Sequence, residues 1–151
     1  MSGIESQRVI LLVEDNPLDE ELTLRALHKS NVLNPVVVAH DGEEALDYLF
    51  GRGKYADPAP PLPQVVLLDL KLPKIEGLEV LRSLRAAART RLLPVVILSS
   101  SNEEQDLLTS YELGANSYVR KPVDFTEFLE AARQLGLYWL VVNQGPPSRA
   151  R

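Results

Sequence analysis

The chain of 151 residues contains no cysteine and only two histidines, His28 and His40. Disulfides and cysteine-based zinc sites are therefore excluded, and a histidine-rich metal centre is disfavoured. Excess positive charge is also missing. A formal net charge of -5 argues against non-specific nucleic-acid binding but leaves room for a basic or apolar partner. Met1 to Gln7 lacks the basic-then-apolar layout of a signal peptide, and no apolar run reaches membrane-spanning length. The expectation is a cytoplasmic protein with neither nucleic-acid nor membrane partners. Its length suits one domain over 1–142, with a flexible polar tail over 143–151.

What is present is an alternation. Short apolar runs at Arg8–Val13, Pro35–Ala39, Val65–Leu68, Pro94–Leu98 and Ser117–Val119 predict strands. Between and after them, helices are expected over Pro17–Ser30, Asp41–Phe50, Gly77–Arg89, Asn102–Leu113 and Asp124–Val142. Asp41 with Glu44 has capping-box spacing, Asn102 is a candidate N-cap, and Gly51 and Gly114 are candidate stops. Runs apolar on both faces and alternating with helices imply a parallel sheet covered on both sides. The expected fold is a doubly wound, flavodoxin-like α/β domain of five parallel strands in the order 2-1-3-4-5. Arg52–Gln64, dense in proline, reads as a stiff surface loop rather than a recognition motif.

Ligands of such sheets bind outside the carboxyl ends of the strands. Glu14 and Asp15, Asp69, Ser99 and Lys121 all fall at such ends. Alone, each has a bland reading: a turn aspartate, first-turn acids favoured by a helix dipole, a loop serine, a solvated lysine. Together they describe a site. A carboxylate can attack a phosphoryl group to give an aspartyl phosphate. Phosphoryl transfer then mostly needs positioning and neutralised charge. Asp15 and Asp69 could share Mg²⁺, Lys121 could add a second positive charge, and Ser99 a hydroxyl donor.

Val13-Glu14-Asp15-Asn16-Pro17, Leu67-Leu68-Asp69-Leu70-Lys71-Leu72-Pro73, Val95-Val96-Ile97-Leu98-Ser99-Ser100 and Tyr118-Val119-Arg120-Lys121-Pro122 resemble the four signature blocks of response-regulator receiver domains. The resemblance implies phosphorylation of Asp69 by a sensor histidine kinase. It implies Mg²⁺ held directly by Asp15, Asp69 and the backbone carbonyl of Lys71, and through water by Glu14. Ser99 and Tyr118 match the switch pair, Lys121 the phosphate-pairing lysine, and Lys121–Pro122 a cis bond. The side chain of Lys71 and Ser101 stand at positions that tune phosphate lifetime, and Ser100 at one that keeps access open. Gly51-Arg52-Gly53 within Leu49–Pro63 resembles single-domain receivers associated with phytochrome-type kinases.

No stretch beyond about Val142 suggests an output domain, so the output is expected to be a surface. Phe125, Phe128, Leu129, Ala132 and Leu135 form a core-facing stripe, whereas Leu137–Val142 is apolar too widely for one stripe. Either that end folds over the domain, or Tyr138, Trp139 and Val142 join a homodimer interface. Phosphorylation is expected to bias the face made by Asn102–Leu113, the fifth strand and the last helix. Delivery to a histidine phosphotransfer protein, a phosphate sink and a non-phosphorylated binding module are the alternatives. A phosphohydrolase is disfavoured, because Lys71 stands where such enzymes carry a second acid and the nucleophile follows the third strand.

Overall fold

The computed structural model describes residues 8–101, 103–121 and 125–136. The strands are β1 Ile10–Val13, β2 Val36–Ala39, β3 Val65–Leu68, β4 Val95–Ser99 and β5 Ser117–Arg120. The helices are α1 Pro17–Lys29, α2 Gly42–Phe50, α3 Gly77–Ala86, α4 Glu104–Glu112 and α5 Phe125–Gly136. All strand pairs are parallel and the order is β2-β1-β3-β4-β5, as the sequence pattern led one to expect.

Side chains alternate across the sheet because strand residues point to opposite faces. Leu11, Val13, Val66, Leu68, Val95 and Ile97 meet Leu46 and Leu49 of α2 and Val80, Leu81 and Leu84 of α3. Ile10, Leu12, Val65, Leu67, Val96 and Leu98 meet Ala26 and Leu27 of α1, with Leu129 of α5 packed alongside. Of the expected α5 stripe, the other four side chains lie outside those described, as do Tyr138, Trp139, Val142, the tail and the Lys121–Pro122 bond. Among the described residues, no helix is long and apolar enough to cross a membrane.

Local chemistry sets the helix ends. Asn16 caps α1 by accepting from the N–H groups of Leu18 and Asp19, and Pro17 stands where no N–H is needed. Asp41 caps α2 by accepting from Glu44 N at 2.7 Å, but Glu44 reaches back one residue further than a capping box requires, to His40 N at 2.9 Å. Gly51 ends α2 in the left-handed region, φ 65°. Most expected bounds shift by one to three residues, and at two helix ends the contacts show why. α3 ends at Ala86, not Arg89, although the alanine run favours more helix. There the Arg85 side chain and the Thr90 hydroxyl, 2.6 Å from Leu84 O, draw the chain out of register. α4 begins at Glu104; Asn102 lies outside the described residues, and the Ser101 hydroxyl accepts from Glu103 N at 3.3 Å.

The proline-dense loop is a docked element. It holds a 3₁₀ turn at Gly53–Tyr55, and Tyr55 meets Tyr48 edge-on at 5.0 Å. Arg89 donates to Leu49 O of α2 and to Pro60 O of the loop, tying both to the exit of α3.

Candidate functional site

The registers Val13↔Leu68 and Leu68↔Ile97 align the carboxyl ends of β1, β3 and β4, and Ser99↔Arg120 adds that of β5. β1, β3 and β5 therefore deliver their next residues, Glu14, Asp69 and Lys121, to one rim, and β4 brings its last residue, Ser99. Lys121 is buried there, and its N–H donates to Ser99 O at 2.8 Å. Its ammonium donates to three carboxylates: Glu14 Oε1 at 2.6 Å, Asp19 Oδ2 at 3.0 Å and Asp69 Oδ2 at 3.1 Å. Asp69 Oδ1 accepts from Leu70 N at 2.7 Å and lies 3.4 Å from Lys71 N. Backbone donors thus fix one oxygen of Asp69 and turn the other to Lys121.

Of the adjacent acids, Glu14 is buried and Asp15 is exposed. Ligand oxygens of Glu14, Asp15 and Asp69 lie within 4.8 Å of one another. Such a donor set, all carboxylate oxygen and open on the Asp15 side, fits a hard divalent cation. Lys71 is exposed beside it.

The switch candidates form a chain of contacts. The buried Ser99 hydroxyl accepts from Ser101 N at 3.2 Å. Ser101 Oγ donates to Asp106 Oδ2 of α4 at 2.6 Å, and the Tyr118 hydroxyl donates to Ser101 O at 3.1 Å. Tyr118 is half-buried against the core face that carries α2 and α3. Ser101 therefore joins the rim, α4 and β5. Ser100 is exposed.

Burial pushes the Glu14 carboxyl up to about 7, against the hydrogen bond and charge of Lys121; Asp69 pushes upward with it. Burial alone would weaken the Lys121 ammonium. The Glu14 hydrogen bond and the charges of Asp69 and Glu14 outweigh it, so Lys121 stays charged. A pH dependence follows. Between the usual 4.5 and about 7, folded Glu14 retains a proton that the unfolded chain releases. Stability of the metal-free protein should therefore fall as pH rises across that window, by as much as about 3 kcal/mol. Lys121 is charged on both sides of the equilibrium there and adds no slope. Urea midpoints at pH 5 and pH 7.5 check this: Glu14→Gln should flatten the difference, and an equal slope in both proteins would reject it.

Sequence reasoning brought Glu14, Asp15, Asp69, Ser99 and Lys121 to one rim, and the fold gathers them there. It missed Asp19, which reads locally as a first-turn acid suited to the helix dipole. The available signal was its place in the first turn of the helix, four residues after Asp15, which turns it back toward the same rim.

Residues 10–133 match the family described as the response regulator receiver domain. The response regulator Rcp1 of Synechocystis sp. is 35% identical over 133 residues, covering 88% of this chain and 89% of that protein. The crystal structure of its Mn(2+)-bound form is similar with a TM-score of 0.85 at 34% identity, covering 93% of this chain and 99% of that one. The phosphorylated cyanobacterial phytochrome response regulator RcpA gives a TM-score of 0.87 at 37% identity, covering 93% and 99%. The bacteriophytochrome response regulator AtBRR is 56% identical with a TM-score of 0.73, covering 91% and 98%. The family match runs from the first strand into the last helix and so takes in every strand end of the rim: the chain belongs to the response regulator receiver domain family.

Proposed function

We propose that this protein is a single-domain response regulator that accepts a phosphoryl group on Asp69 from a sensor histidine kinase. One observation carries the reading: the Asp69 carboxylate has Oδ1 anchored by Leu70 N at 2.7 Å and Oδ2 turned to the Lys121 ammonium at 3.1 Å. An ionised carboxylate so oriented is a nucleophile that needs no general base. Lys121 would pair with a phosphoryl oxygen and the Ser99 hydroxyl would donate to another. Mg²⁺ carried by Asp15, Asp69 and the Lys71 carbonyl, with Glu14 reached through water, would neutralise charge on the phosphoryl group. The donor set and the Mn(2+)-bound relative support a divalent cation.

The switch would run from Ser99 through Ser101 and Tyr118 to α4, β5 and α5, with homodimerisation through Tyr138, Trp139 and Val142 as its readout. Similarity to phytochrome and bacteriophytochrome response regulators supports a phytochrome-type kinase as partner, and the compartment would be the cytoplasm. The protein would catalyse only its own phosphorylation and dephosphorylation. A histidine phosphotransfer protein is the natural recipient if the phosphoryl group moves on.

The test is intact mass after incubation with Mg²⁺ and acetyl phosphate. Wild type should gain one phosphoryl group and Asp69→Asn none. Equal labelling of both proteins, or of neither, would overturn the proposal.

A further inference from the structure

Asp19 belongs to none of the motif blocks, yet it takes one of the three hydrogen bonds of the Lys121 ammonium, at 3.0 Å. The other two go to Glu14 and Asp69, which with Asp15 form the group able to hold a cation. A cation and the ammonium therefore compete for Glu14 and Asp69, whereas Asp19 stands outside that group. Its side chain is 34% exposed against 1% for Glu14, so it carries its charge at lower desolvation cost. It is also rigidly placed. Its N–H donates to Asn16 Oδ1 at 3.1 Å, and its carbonyl accepts from Thr23 Oγ1 at 2.8 Å, with Thr23 buried.

We propose that Asp19 is a positioning residue that tethers the Lys121 ammonium from the α1 side. The tether leaves Glu14 and Asp69 free to turn to a divalent cation while Lys121 stays beside the Asp69 oxygen. It deepens the reading of Asp69 as a phosphoryl acceptor, and rests on it for its purpose. Without Asp19, Lys121 falls back on the two remaining carboxylates and repels the cation.

The experiment is Mn²⁺ titration followed by the EPR signal of the free ion, for wild type, Asp19→Asn, Lys121→Met and the double variant. No phosphoryl transfer is needed for this readout. Asp19→Asn should weaken Mn²⁺ binding by about threefold to tenfold in wild type, and by less than about twofold beside Lys121→Met. Asp19→Glu should restore most of the loss. A loss equal in both backgrounds would mean that Asp19 acts only through its field, and would overturn the tether. So would an unchanged affinity in Asp19→Asn, or wild type that binds no Mn²⁺. Lys121→Gln serves as the neutral variant if Lys121→Met does not give a native circular dichroism spectrum. Failure of wild type to gain a phosphoryl group from acetyl phosphate counts against the function of Asp69 and leaves the Mn²⁺ comparison intact.

Discussion

Gly77→Ala is expected to destabilise the protein by about 3 kcal/mol, the upper end for overpacking, and to lower its melting temperature by roughly 6–12 °C. Gly77 opens α3, and its N–H donates to Leu70 O at 2.9 Å. A Cβ there would lie 2.1 Å from Asp69 O and 2.7 Å from Leu70 Cα. Both are backbone atoms, so no side chain can swing aside. The glycine is required by close approach of the helix start to the end of β3, not by an unusual φ. Relief must come from moving α3 or the backbone that carries Asp69. Either shift disturbs the Leu70 N–H that orients the carboxylate, so phosphoryl acceptance should fall along with stability. Thermal unfolding and intact mass after acetyl phosphate measure both. Glu76→Ala is the control, since Glu76 is exposed and its side chain makes no capping bond. A Gly77→Ala protein that melts with wild type would show that the contact relaxes freely.

Arg85→Met should cost at least about 3 kcal/mol, because hydrogen bonds from a charged donor are worth roughly 1.5–3 kcal/mol each and buried acceptors left unpaired cost more. Arg85 Nε and Nη2 both donate to Gly114 O, at 3.0 and 2.8 Å, and Nη2 also reaches Asn116 Oδ1 at 3.1 Å. Nη1 serves Leu93 O at 2.8 Å, Arg91 O at 3.0 Å and Thr90 O at 3.3 Å. Burial pulls this guanidinium below its usual pKa range, and its acceptors in this network are carbonyl and amide oxygens. One side chain thus joins the end of α3, the entry to β4 and the link from α4 to β5. Arg85→Lys should recover less than half of the loss, because an ammonium cannot reproduce the planar fork. Urea unfolding of the three proteins decides it. Equal midpoints for Arg85→Lys and wild type would reduce Arg85 to a simple charge.

The features legible in the sequence are those with a local signature. Hydrophobic runs gave the strands, the common order of five-stranded doubly wound sheets matched theirs, Asp41 and Gly51 bounded α2, and strand-end acids marked the rim. Features that depend on contacts distant in sequence were not legible. Arg85 looks like a surface arginine near the end of a helix; its acceptors Gly114 and Asn116 lie 29 and 31 residues away. Gly77 looks like a helix-opening glycine until Asp69 O is placed against it. Asp19 and Lys121 are 102 residues apart. The proline-dense segment reads as a stiff surface loop, and the contacts that dock it are not legible because their partners, Tyr48 and Arg89, lie outside it.

The two ends of the sheet are built differently, and this has a mechanical consequence. At the amino end, Arg85 and Asn116 pin β4 to β5, since Asn116 Oδ1 also accepts from Val95 N at 2.8 Å. At the carboxyl end, the contacts of the described residues linking β4 to α4 converge on Ser101. Under the switch proposed above, a push entering at Ser99 would work a lever whose fulcrum is Arg85. Its stroke would be smallest at Gly114 and grow toward the start of α4, and the helix it moves carries Leu107, Leu108 and Tyr111 exposed to solvent.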